Sequence, residues 1–146
     1  MQDATVSARR LRQALPLLVI LAVAGCGGDS GDPTAPEEPD TLAPTLSSIE
    51  TDIFEPFCSV HHGPSAAAAD LDLSAGRSFA NLVNVPSTQV DLNLVTPRDV
   101  NASYLVHKIE GRAGIVGRQM PIGALPLTNE EIETIRQWIA AGAQNN

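Results

Sequence analysis

Large side chains are scarce in this chain of 146 residues. It has three Phe, one Tyr and one Trp, an aromatic content of 3%. Cysteine and methionine are scarcer still, at two residues each. Two cysteines exclude a disulfide-rich scaffold. No phosphate-binding glycine loop, Ser-His-Asp arrangement or catalytic carboxylate pair stands out, so the sequence does not point to an enzyme. Asp70 and Asp72 lie two apart before a helical stretch, where acids commonly complement the helix dipole. Internal repeats and alternating strand patterns are missing. Basic residues are also short, 9 Lys and Arg against 17 Asp and Glu, for a formal net charge of −8 at pH 7. Such a surface repels nucleic acid.

The N-terminus carries a processing signal. Arg9, Arg10 and Arg12 precede the apolar run ALPLLVILAVAG, which is shorter than the roughly 20 residues of a membrane-spanning helix. This is the layout of a secretory signal peptide, residues 1–25. The stretch VAGC, Val23 to Cys26, resembles the lipobox of bacterial lipoproteins. That resemblance implies cleavage before Cys26 and lipidation of its thiol. The expected location is the cell envelope, with the protein lipid-anchored to a bacterial membrane and its domain facing the periplasm or the exterior. Residues 26–44 follow as a linker. From Gly27 to Pro44 they hold five acids, four prolines and three glycines, a composition that cannot build a core. Removal of residues 1–25 takes three basic residues and one acidic one, leaving six against sixteen, a net of −10. The anchor rather than the acidic domain face then holds the membrane, and a basic partner protein is attracted.

Residues 45–146 read as one all-α domain of about four short helices with long loops. Ser47 and Glu50 form a Ser-x-x-Glu box, followed by Ile49, Ile53 and Phe57 on one face. Pro56 is expected to end or distort that helix. A second helix is expected from Ser74, with Phe79, Leu82 and Val83 on one side. A third fits DVNASYLVHKIEG: Asp99 caps it, Tyr104, Leu105 and Ile109 face inward, and Gly111 closes it. The fourth begins at the Thr128–Glu131 capping box and shows Ile132, Ile135, Trp138 and Ile139 as a stripe ending before Gly142. The loops over 84–98 and 111–127 are long for a compact domain, and such loops usually hold something or are held by something.

The chemistry concentrates in FCSVHHGP, residues 57–64. Cys58 and His62 are four apart, so on a helix end they share a face. This is Cys-x-x-His-His, one residue away from the Cys-x-x-Cys-His haem attachment sequence. A haem lying along that face would take a thioether from Cys58 and an iron–nitrogen bond from His62. The distal ligand would come from RQMPIG: Met120, the only methionine after the signal. A His/Met pair raises the potential of haem iron.

From Ile49 to Ala143 the chain resembles the bacterial cytochrome c-like domain family found in lipoproteins and planctomycete-type proteins. The resemblance rests on IF before the cysteine, HHG, LDLS, NLVN, NASYLVHKIEG, RQMP and LTNEEIETIRQWIAAGA. It implies a small all-α cytochrome c fold, haem c and electron transfer. By position it makes Cys58 a haem thioether, His62 the proximal iron ligand and Met120 the distal one, with Gly63 allowing a close turn beside the ring. The chain departs from that family at His61, which stands where the second cysteine belongs, so at most one thioether can form. His61 is a candidate for contact with the ring.

Two other readings use the same residues. One is a haem-free scaffold or interaction module, with Cys58 as a small buried hydrophobe. The other is a zinc site from Cys58, His61, His62 and His107, the residue types zinc prefers.

Overall fold

The computed structural model describes residues 42–146. The signal peptide, Cys26 and all but the last three residues of the linker lie outside the described residues.

The domain begins with a helical run in three segments: α1 (Leu46–Ile49), a π-helical turn (Glu50–Phe54) and α2 (Glu55–Phe57). The start differs from the expected box. Thr45 is the cap, its hydroxyl accepting from the Ser48 amide at 3.3 Å. Glu50 does not cap this helix but accepts from the Gly76 amide at 3.0 Å and from the Ser78 hydroxyl. The wide turn lies just before Pro56, which lacks the N–H that an ordinary helix would need there. It also brings Phe54 into the core beside Ile49 and Ile53, while Phe57 is only partly covered.

α3 (Ser78–Leu82) is shorter than the expected helix from Ser74. Ser74 instead folds back on Asp72, and Gly76 takes the left-handed conformation at φ 74°. α4 (Tyr104–Glu110) likewise starts late. Asp99 turns its carboxylate onto the amides of Asn101 and Ala102, a local turn that competes with helix. Gly111 closes α4 in the left-handed conformation, φ 68°. α5 (Asn129–Ala140) has the full Thr128–Glu131 capping box.

The core lies where α5 packs on α1 and α4. Trp138, Ile135 and Ile139 of α5 meet Leu46, Ile49, Ile53 and Phe54, with Val106, Leu82 and Val95 closing the cluster. Burial of each such side chain stabilises the fold by roughly 1.5–3 kcal/mol. The indole of Trp138 donates to the Gln144 carbonyl at 2.8 Å, so its polar edge is not stranded. Asn146 accepts from the Ser47 and Leu46 amides, tying the chain's C-terminal residue to the start of α1.

The all-α expectation is corrected here. A two-stranded antiparallel hairpin, β1 (His62–Gly63) and β2 (Ala66–Ala67), follows α2. Isolated bridges join Val83 to Val95, Pro86 to Asn93, Asn93 to Ser103 and Thr96 to Asp99. Pro64, Pro86 and Pro97 bar helix in these segments. Their partly buried amides and carbonyls must still be paired, and they pair with one another. The fold is therefore a helical core joined by irregular, locally bridged segments.

Candidate functional site

α2 ends at Phe57, and Cys58 is its C-terminal cap. The chain then turns instead of continuing as helix. The amides of His61 and His62 both donate to the Cys58 carbonyl, at 3.0 and 2.9 Å. His62 is thus one turn beyond Cys58, as a shared helical face would require, but it is the first residue of β1.

Three ties fix His62. Its amide is held by Cys58, and its carbonyl accepts from the Leu73 amide at 2.6 Å. Its ring Nδ1 lies 3.0 Å from the Ala68 carbonyl oxygen. A carbonyl only accepts, so Nδ1 carries the proton and Nε2 keeps its lone pair. Burial lowers the affinity of this imidazole for a second proton, against the opposing pull of the Ala68 and Leu71 backbone. The result is a neutral imidazole with a single free donor atom, the state a metal ligand needs.

Gly63 is buried, and a Cβ there would collide with the Ser59 carbonyl oxygen. The tight return of β1 over the Cys58 turn therefore requires glycine for space.

Cys58 is a half-buried free thiol. Burial, and after it the nearby Glu131 carboxylate, pushes the thiol up to about 11.

Cys58, His62 and Met120 border one cavity of about 270 Å³. Leu71, Leu73, Leu82, Leu105 and Ile109 form much of its apolar wall, and Ser87, Thr88 and Gln89 contribute polar groups. A second hollow of about 200 Å³ is bordered by the same three residues together with Phe57, His61 and Ile122. The larger hollow lies just under the roughly 300–1,000 Å³ range of small-molecule and cofactor sites.

His61 is exposed and borders only the smaller hollow. His107 borders neither hollow. Its Nε2 is 2.7 Å from the Asn101 carbonyl, to which it donates. Among the described residues no three His, Cys, Asp or Glu side chains converge on a common point.

No family model, curated protein or solved structure matches this chain. The chemistry of the site therefore rests on its own groups. An imidazole, a thioether and a thiol around an apolar slot match the donors that hold haem iron and a haem edge. They match zinc less well, which wants about four closely gathered N, S or O ligands.

Lys108 and Tyr104 also border the cavity and are absent from the sequence-derived set. The signal for Lys108 is legible afterwards: it stands four residues beyond the inward-facing Tyr104, on the same side of α4.

Proposed function

We propose that this chain is an envelope electron carrier that binds one haem c, with His62 and Met120 as the residues that would hold its iron and at most one thioether, through Cys58. The observation that carries the reading is that these three side chains border one apolar cavity. When bound, haem supplies a one-electron couple, and a His/Met pair favours its reduced form.

The chain's own groups do the rest. Ala68 orients the His62 ring and fixes its tautomer, leaving Nε2 as the ligating atom. Burial keeps that ring neutral. Leucine and isoleucine side chains give the slot a largely apolar lining. A haem-free packing module would fill this space with side chains, so the open slot favours the carrier. Lipidation of Cys26 would hold the carrier at a bacterial membrane, and its acidic surface would attract a basic partner protein. No helix among the described residues is long and apolar enough to cross a membrane.

The test is visible spectroscopy on the full chain expressed with haem-maturation machinery, followed by acid–acetone extraction. A Soret band that stays with the protein after extraction, and becomes extractable in Cys58→Ala, is the expected result. Absence of a Soret band in the wild-type chain removes the proposal.

A further inference from the structure

Met120 sits in a segment, residues 111–127, that has almost no apolar hold on the core. Its glycines at 111, 114, 117 and 123 all have positive φ. Val116 is 47% exposed, Ile122 41% and Leu125 86%. Only Leu127, at its very end, belongs to the buried cluster. Hydrophobic burial therefore does not decide where the Met120 sulfur stands.

Polar ties to α4 do. The Lys108 ammonium donates to the carbonyls of Val116 and Arg118, each at 2.8 Å. The backbone carbonyl of the same residue accepts from the Met120 amide at 2.9 Å. Two further bonds brace this strap: Val116 N–H to the Tyr104 hydroxyl at 3.0 Å, and the Gln119 side-chain amide to the Ile109 carbonyl at 2.8 Å. Lys108 is only 9% exposed and forms no ion pair among the described residues. A charged group is rarely buried without a partner. Here the two loop carbonyls are that partner, and the position near the C-terminal end of α4 favours a cation.

We infer that Lys108 is the positioning residue for Met120: it binds the loop on both sides of Arg118 and so sets the sulfur against the cavity that His62 enters from the opposite segment of the chain. Leucine or methionine at this place would satisfy the packing of the stem but would release two carbonyls and the loop with them.

The inference rests on the haem reading only for its consequence, not for the strap itself, and two measurements separate them. The first uses the full chain without haem. Amide hydrogen exchange at Met120 in the wild type should show protection comparable to the interior of α4. In Lys108→Leu it should exchange more than about tenfold faster, with Ile135 of α5 unchanged. A Met120 amide that already exchanges as an open loop in the wild type overturns the strap, whatever the variant does, so a variant that fails to fold does not remove the test. Unchanged exchange in a folded Lys108→Leu chain overturns it equally. The second measurement uses the haem-loaded chain. Lys108→Leu, which adds no sulfur at this cavity-lining position, should lose the spectral signature of sulfur ligation and bind added imidazole more tightly than wild type, whereas Lys108→Arg, which keeps N–H donors, should restore part of the signature. Loss of exchange protection together with intact sulfur ligation overturns the positioning role. If the wild-type chain takes no haem, the proposed function falls, and the exchange result still decides the strap.

Discussion

The His62 imidazole donates from Nδ1 to the Ala68 carbonyl, 3.0 Å away across the hairpin. One bond between a ring and a backbone six residues on leaves a single nitrogen free. It also makes the β1–β2 hairpin part of the site.

Stability should depend on pH through His62. Burial places the native ring below the ordinary value of about 6.5. The unfolded chain therefore takes up the proton at a higher pH than the native one. Stability is complete above about pH 6.5 and declines as the pH falls below it toward the native value. Urea unfolding of the haem-free chain between pH 5 and pH 8 should show this decline, and His62→Gln should flatten it. An identical pH slope in the variant would assign the effect elsewhere.

Gly63→Ala should destabilise the domain by about 1–3 kcal/mol, because the new methyl meets backbone and not a flexible side chain. Chemical denaturation measures it. A neutral substitution would mean that the Cys58 turn can widen at no cost, contrary to the packing described.

The Cys58 thiol should be sluggish. Raised to about 11, it holds far less thiolate at pH 8 than a free cysteine does. Reaction of the haem-free chain with an aromatic disulfide reagent should run on the order of a hundredfold slower than with a small thiol, and should recover in denaturant. A native rate close to that of the small thiol would contradict the burial.

Glu50 reaches across the fold to accept from the Gly76 amide at 3.0 Å and from the Ser78 hydroxyl. Ser78 is fully buried. Glu50→Ala should strand that hydroxyl and the start of α3, lowering stability by about 1–3 kcal/mol. Because α3 supplies Leu82 to the cavity wall, the variant should also loosen haem retention. Wild-type denaturation midpoints would show that solvent replaces the carboxylate freely.

Much of the helical part is legible along the chain. The Thr128–Glu131 box, the Ile135, Trp138 and Ile139 stripe and the Gly111 stop are all local signals, and all are present. The misreadings have local causes too. Ser47 offers a capping pattern, but Thr45 captures the role two residues earlier. Asp99 looks like a helix cap and makes a turn instead. The hairpin and the bridges over 83–103 carry no periodic pattern, since they arise from backbone groups that pair wherever the core leaves them. Lys108 was readable as a residue on an inward face, but its partners were not.

By itself, the sequence determined what lies within a turn or two: helix ends, the Cys58–His62 spacing, the acidic composition and the identity of the imidazole, thiol and thioether donor groups. Local sterics and hydrogen bonds set those, so a short window of residues suffices. Only the tertiary structure decided that Met120, 58 residues after His62, borders the same cavity, and that a buried lysine straps its loop there. Contacts at that separation depend on how α4 and α5 pack, and packing is a property of the whole core.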